Sequence, residues 1–368
     1  MLATNTNYGA SMPFQVGRNP KTFEPLVSLL VYNFNYGRYL AECFDSMLAQ
    51  SYSNIEIIFS DNASDDQSWE IACTYAQKHP GKIHLARNKK NLGTDANLAN
   101  CHVAKRGNFY CIVGSDDILH PDFVKTCVAV MVEDPDLMYV MTHRFILDEK
   151  SHRTDEPPFY NGSYKLYPPS QNTVYMMAAI NPSISQVMYR AETPGSLANI
   201  FNGQFYSARI SDFLICLQYP VAYLDLPLVG HRIHGQNQSL IANSNLMEII
   251  GPYVLLHQFS ELARAYEYDA VIKKYDEGVI QISRLSLRYA TRALMEGNNS
   301  LFERYFYLAK AIYPEIRYDK KYEVIGQFNG ENFEIIRSKL KDVSGLDFGR
   351  KRTYEPSPPF EAIRMTKI

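Results

Sequence analysis

From residue 27 the chain settles into a repeating pattern of apolar and polar positions. Val27-Ser28-Leu29-Leu30-Val31-Tyr32 is a short continuous apolar run, as expected of a strand buried on both faces. A turn over residues 33–37 follows. Tyr39, Leu40, Cys43, Phe44, Met47 and Leu48 then recur at helical spacing. A second strand is predicted over 55–59, ending in a polar loop over 60–67. A helix over 68–78 stops at Pro80-Gly81. A short strand over 83–86, a helix over 94–105, a strand over 109–113 and a helix over 121–133 complete the series. Strands alternating with helices through short connections predict an α/β chain with a parallel sheet. Right-handed crossovers put all the strand C-termini on one side, where such sheets bind ligands. The polar loops at 33–35, 61–66 and 115–117 should therefore meet.

The pattern loosens elsewhere. Residues 1–24 read as a loose polar arm. Over 140–245 the chain is less regular. Residues 152–172, rich in Pro, Tyr, Asn and Ser, read as a long loop, and helical spacing returns at 173–179 and 212–218. Residues 246–312 read as helices, with an αα-hairpin at 295–300. The polar stretch 341–368, holding Arg350-Lys351-Arg352 and Pro356-Ser357-Pro358-Pro359, reads as an extended tail. The expected division is an arm at 1–24, an α/β domain at 25–245, a helical region at 246–340 and a tail at 341–368. No internal repeat is evident.

Composition changes this picture little. With 46% apolar residues the chain can bury a core, and a net charge of -2 argues against a nucleic-acid partner. The six cysteines form no C-x-x-C pair and fall in apolar segments, so they read as small buried hydrophobes in a reducing compartment. No basic stretch followed by an apolar one marks a signal peptide. The apolar run at 174–180 is far short of the ~20 residues that cross a bilayer. A cytoplasmic protein is expected, its N-x-S triplets at Asn62, Asn161, Asn237 and Asn298 unglycosylated.

Candidate chemistry sits in the acidic loops. Asp116 and Asp117 are adjacent carboxylates at a strand end. They repel each other unless a cation relieves them, and Mg²⁺ typically bridges carboxylates to substrate phosphates. Equally, Ser115 or Asp116 could cap the helix after Pro121. Asp61 directly follows the second strand, where a carboxylate can accept hydrogen bonds from a base or ribose; Asp65 and Asp66 read as caps of the helix near Ser68. Asn91-Leu92-Gly93 either brings a backbone close to a ligand or simply punctuates a turn.

Together these signals stand in a specific order. Val27 through Asn35 resembles the opening strand of family 2 glycosyltransferases, inverting enzymes of the GT-A fold. The run Cys43-Phe44-Asp45-Ser46-Met47-Leu48-Ala49-Gln50-Ser51-Tyr52 is similar to the family's next helix. Residues 57–66 resemble its nucleoside loop, Asn91-Leu92-Gly93 its third marker, and Gly114-Ser115-Asp116-Asp117 its metal-binding Asp-x-Asp element. The resemblance is dense over 26–125, patchy to 240, and without catalytic markers beyond 245. It implies a GT-A sheet, Rossmann-like and mostly parallel, flanked by helices, with a helical C-terminal region. Donor contacts would come from Asn33, Asn35, Asp61, Asn91, Gly93, Ser115 and Asp117, with Asp61 on the base and ribose. Asp116 would contact a divalent metal, Mn²⁺ or Mg²⁺, bridging the donor phosphates. The chain departs from the family at Gly114, where many members carry a first Asp. Ser211-Asp212-Phe213-Leu214 matches the family's catalytic base at Asp212; the alternative is a cap at that helix's start. Residues 228–239 resemble a late Arg-x-His segment, with Arg232 near the diphosphate and His234 in the metal shell.

The implied reaction is single in-line displacement from a nucleoside-diphosphate sugar, UDP being the expected nucleotide. The acceptor is a hydroxyl of a saccharide or lipid-linked glycan, as in bacterial surface polysaccharide synthesis. The alternatives are a catalytically weakened nucleotide-sugar-binding protein, signalled by Gly114, and a sugar nucleotidyltransferase. The latter should open with a Gly-rich phosphate loop after the first strand, where this chain has Asn33-Phe34-Asn35-Tyr36-Gly37. Arg284, Arg288 and Arg292 fall at i, i+4 and i+8. They form either a solvated face or a peripheral contact with anionic lipid at the inner face of the membrane. A homo-oligomer is compatible with all of this.

Overall fold

A computed structural model describes residues 24–177, 183–192, 207–235, 245–341 and 360–366. The predicted alternation is present at its N-terminal end as β1 (Val27–Asn33), α1 (Gly37–Leu48), β2 (Ile55–Asp61), α2 (Ser68–Lys78), β3 (Ile83–Arg87), α3 (Thr94–Ala104) and β4 (Phe109–Gly114). Then come β5 (Ile118–Leu119), α4 (Phe123–Glu133), β6 (Tyr139–Leu147), β7 (Arg153–Asp155), β8 (Tyr164–Leu166), α5 (Ser170–Tyr175), β9 (Val187–Arg190), α6 (Ser207–Gln218) and β10 (Val221–Arg232). The C-terminal region holds α7 (Met247–Ala265), α8 (Asp269–Ile272), α9 (Tyr275–Met295), α10 (Asn299–Ile312), α11 (Lys320–Ile325), α12 (Phe333–Lys341) and β11 (Ala362–Arg364).

One sheet runs in the order β11-β8-β10-β6-β9-β4-β1-β2-β3. From β4 to β3 all pairs are parallel, as the buried apolar runs require. The sheet is mixed beyond that, because β9 lies antiparallel between β4 and β6. Alternate residues of β1 serve two cores. Val27, Leu29 and Val31 pack with α1 and α4. Leu30 faces the larger cluster that continues through α6, α7 and α9. There Phe213 stacks on Phe259 with ring centroids 4.1 Å apart.

Three expectations need correcting. The stretch 152–172 is not one loop, since β7 and β8 fall inside it. Their three-residue length leaves no periodicity to read. Part of the expected tail is a strand: β11 pairs antiparallel with β8, Arg364 opposite Tyr164. Residues 342–359 of that tail, and the arm at 1–23, lie outside the described residues. Finally, α6 begins at Ser207, so Asp212 sits within the helix rather than at its start. The αα-hairpin stands as expected, with Gly297 at φ 74° between α9 and α10.

Candidate functional site

Parallel pairing sets Asn33 beside Asp61 and Tyr32 beside Gly114, so the ends of β1, β2 and β4 form one ledge. Above it opens a cleft of about 960 Å³, lined among others by Asn33, Asn35, Asn91, Gly93, Ser115, Asp116 and Asp117. Seven of the sequence-predicted site residues therefore meet at one surface. Asp61, Arg232, His234 and Asp212 do not line it.

An amide mesh shapes one wall. Asn62 donates to Asn91 Oδ1 (2.8 Å) and accepts from the Leu92 N–H, tying the loop after β2 to the turn before α3. Asn97 donates to the Asn33 and Ser60 carbonyls. Gly93 has φ 85°, a conformation side chains resist, which lets its turn lie along the cleft. Asn35 takes φ 59°, tolerable for Asn, and accepts from the Asp65 N–H. Buried polar atoms of cleft-lining residues without a partner among the described residues include Asn33 Oδ1 and Ser115 Oγ. Since the Asn33 amide nitrogen is held by Asp61 Oδ1, its oxygen is fixed as an acceptor. Unsatisfied buried groups of this kind are free to bond a ligand or a water.

Asp61 supports this wall from behind. It is fully buried, accepts from Asn33 and from the Ser64 hydroxyl (2.5 Å) and N–H, and forms an ion pair with Arg87 (3.2 Å). The N-cap position of α2 is Gln67 rather than Asp65 or Asp66, but the Asp66 carboxylate accepts from the Ser68 and Gly37 N–H groups at the starts of α2 and α1.

The acid pair forms the opposite wall, and the capping alternative fails because the N-cap of α4 is Asp122. The two carboxylates differ. Asp117 is buried and accepts from Ser185 Oγ (2.6 Å), His231 Nδ1 (3.1 Å) and the Arg232 N–H (3.0 Å). Burial pushes its carboxyl up, but His231 and these hydrogen bonds outweigh it and hold Asp117 below the usual range. Asp116 accepts from His234 Nε2 at 3.1 Å, yet burial raises its carboxyl above the usual range.

Gly114 is explained by this packing. A Cβ there would stand 2.9 Å from Asp116 Oδ1 and 3.0 Å from Asp117 Oδ2. A side chain at 114, such as the first Asp common in the resembled family, would have to displace both carboxylates.

Arg232, expected at the diphosphate, instead lies behind the acid pair. Its guanidinium is fully buried and donates to the Asp116 carbonyl (2.8 Å), the Asp148 carbonyl, Ser151 Oγ and Glu42 (2.6 Å). The residue facing the cleft is its neighbour His231, which sequence reasoning missed. Strand alternation separates the two, since on β10 positions 231 and 232 point to opposite sides, but does not say which one faces the cleft. Asn62 and Asn97 were missed too. Their signal is polarity on otherwise apolar, buried faces.

Asp212 lies under the sheet's helical face. Tyr189 donates to its Oδ1 at 2.8 Å. Burial pushes its carboxyl up to about 7, with Tyr189 and Arg209 pulling the other way. A carboxylate poised near neutrality suits general-base work. Its position within α6 removes the capping alternative.

In the helical region, Arg292 pairs with Glu296 and Arg284 lies 4.0 Å from Asp319, as a solvated face would have it. Among the described residues no helix is long and apolar enough to cross a membrane.

Comparison with known proteins is consistent with this site. The family Glycosyl transferase family 2 matches residues 28–187. Putative glycosyltransferase EpsE of Bacillus subtilis is 34% identical over 125 residues, which is 34% of this chain and 45% of that protein. An uncharacterized glycosyltransferase of Nostoc sp. is 25% identical over 60% of this chain and 69% of its own. Chondroitin synthase of Escherichia coli is 28% identical over 35% of this chain and 18% of its own. The chain thus spans less than half of EpsE. Among solved structures, residues 1–349 of TarS from S. aureus align with TM-score 0.49 and 12% identity, covering 78% of this chain and 91% of that one. The mannosyltransferase PcManGT from Pyrobaculum calidifontis aligns with TM-score 0.46 and 15% identity over 84% and 91%.

Proposed function

We propose that this chain, whose residues 28–187 match glycosyl transferase family 2, is a member of that family and moves a sugar from a nucleoside-diphosphate sugar to an acceptor hydroxyl with inversion. The observation that carries the reading is the cleft itself. It joins an amide-rich wall, where the buried Asn33 Oδ1 has no partner among the described residues, to an acidic wall holding Ser115 and Asp116. A nucleoside needs donors and acceptors of the first kind, and a diphosphate with its cation needs the second.

Asp116 and His234 are suited to a divalent cation. Their nearest atoms are 3.1 Å apart. Adjacent ligands of one octahedral ion at about 2.1 Å would be separated by about 3 Å. Among the described residues no three His, Cys, Asp or Glu side chains form a metal cluster. The remaining ligands would therefore be phosphate oxygens and water, the usual habit of Mg²⁺. Bound there, Mn²⁺ or Mg²⁺ would act as a Lewis acid on the departing diphosphate.

The rest falls to the protein. Asn33, Asn35, Asn91, Gly93 and Ser115 line the nucleoside and phosphate path, with Asp61 bracing Asn33 from behind. Asp117 and Arg232 hold the Asp116 backbone in position. Asp212 takes the proton from the acceptor hydroxyl as that oxygen bonds to the anomeric carbon. The pair of the breaking C–O bond leaves with the nucleoside diphosphate from the opposite face, through an oxocarbenium-like transition state. General-base help of this kind contributes roughly 10²–10⁴-fold.

UDP as the nucleotide, a saccharide or lipid-linked acceptor, and a role in bacterial polysaccharide synthesis complete the proposal; the similarity to chondroitin synthase supports the last. Release of UDP from UDP-sugars, followed with acceptor extracts, tests it. Asp212→Asn should stop transfer while leaving UDP affinity intact, and normal turnover by that variant would remove the base assignment.

A further inference from the structure

We propose that Tyr189 is the positioning residue of Asp212, and that one rigid segment carrying Ser185 and Tyr189 holds the proton-accepting carboxylate in register with the donor-binding acid pair. The inference rests on the reading of Asp212 as the base.

The segment is short and pinned on both sides. A 3₁₀ turn, Ile184–Gln186, runs directly into β9. At its upper end Ser185 donates to Asp117 Oδ2 (2.6 Å) and accepts from the Gly114 N–H (3.0 Å). Gln186 donates to the Thr142 carbonyl at 2.6 Å. Met188 pairs with Cys111 of β4 on one side and Val140 of β6 on the other. Sliding this bar would break two ladders and the Ser185 bridge together.

Tyr189 stands at its lower end. The residue is 1% exposed, its ring stacked on Tyr110 with centroids 5.1 Å apart and set edgewise to Tyr139 at 5.8 Å. These rings set where its hydroxyl points, and it points at Asp212 Oδ1. With Oδ1 engaged, the acceptor's proton goes to Oδ2. The proton moves to that oxygen as the acceptor oxygen bonds to the anomeric carbon, and the leaving pair departs with the diphosphate.

Among the described residues, the titratable groups facing Asp212 are these. Arg209 and Cys216 come from α6, Tyr110 from β4, Tyr139 from β6 and Tyr175 from α5. Burial pushes all three tyrosines and the thiol up, so near neutral pH they stay uncharged. Tyr189 is raised too and keeps its proton to donate. The anionic form of Asp212 is thus stabilised by the Tyr189 hydroxyl and by Arg209.

The test is a pH profile with two opposed changes at position 189 in the full chain. The probe is whichever of UDP-glucose, UDP-galactose, UDP-N-acetylglucosamine and GDP-mannose the wild type hydrolyses fastest. The carboxyl of Asp212 is followed in parallel by ¹³C NMR, assigned with Asp212→Asn, so the readout does not depend on turnover. Tyr189→Phe should raise the Asp212 titration by about one unit, the tenfold that a hydrogen bond to a charged group supplies. The acid limb of kcat should move with it, while KM for the nucleotide sugar stays within about twofold. Replacing Tyr189 with 3-fluorotyrosine, a stronger donor of the same shape, should shift both the opposite way. An Asp212 titration unmoved by fluorotyrosine, or moved the same way by both changes, overturns the inference. If Asp212→Asn itself turns over normally, the base reading falls; if it is inactive and the titrations do not move, only the role of Tyr189 falls.

Discussion

Ser185 donates its hydroxyl to Asp117 Oδ2 at 2.6 Å, which makes Asp117 a braced carboxylate, whereas Asp116 is the one we propose for the ligand. Asp117→Asn sets an amide against three donors. It should cost about 2–3 kcal/mol, the scale of hydrogen bonds to charged groups. Asp116→Asn should leave the urea midpoint nearly unchanged, because burial already penalises its charge, and yet lower turnover at least about 100-fold. Equal destabilisation by the two variants would contradict this division.

Gly114→Ala forces a methyl against both carboxylates. Overpacking of this sort costs about 1–3 kcal/mol. Restoring the family's usual residue with Gly114→Asp should be worse, since it adds a third carboxylate to the pair. Thermal unfolding and Mn²⁺ affinity, measured together, should both fall; tighter Mn²⁺ binding by Gly114→Asp would mean that the site has room.

Arg232→Lys should behave as a folding variant. A lysine cannot reproduce the fork that reaches the Asp116 and Asp148 carbonyls, Ser151 and Glu42 at once. A buried acceptor left without its donor costs about 1–3 kcal/mol. Loss of turnover at unchanged stability would return Arg232 to the diphosphate.

Asp212 links stability to pH. An unfolded aspartate titrates near about 3.9, whereas Asp212 in the fold titrates at about 7. Between those values the folded chain holds the extra proton. Its contribution to stability therefore falls as pH rises from about 4 to 7, by about 1.4 kcal/mol per unit at most, and is level above. Asp212→Asn should erase that slope and unfold at higher urea than wild type at pH 8. A wild-type slope in the variant would show that another group is responsible.

The N-terminal half of the fold was legible because each element had its own pattern. Continuous apolar runs marked β1, β2 and β4, and α2 spans the predicted residues 68–78. β6 and β10 escaped because Thr142, His143, Arg144 and Asp225 interrupt them. β10 also slips register between Leu224 and Val229. The pairing of β11 with β8 joins distant segments that share no local signal. At the site, residue types with a charge to place, such as Asp116, stood out. What could not be read was direction: whether Arg232 or His231 faces the cleft depends on a strand recognised only in three dimensions.

The central claim is that Asp116 helps bind the diphosphate of a nucleotide sugar in this cleft. Calorimetric titration of UDP, with GDP in parallel, into wild type and Asp116→Asn with and without Mn²⁺ tests it most directly. Wild type should bind one of them at least about tenfold more tightly with Mn²⁺, and Asp116→Asn should lose that gain. Nucleotide binding that neither Mn²⁺ nor the substitution alters, or no binding of either nucleotide, would contradict it.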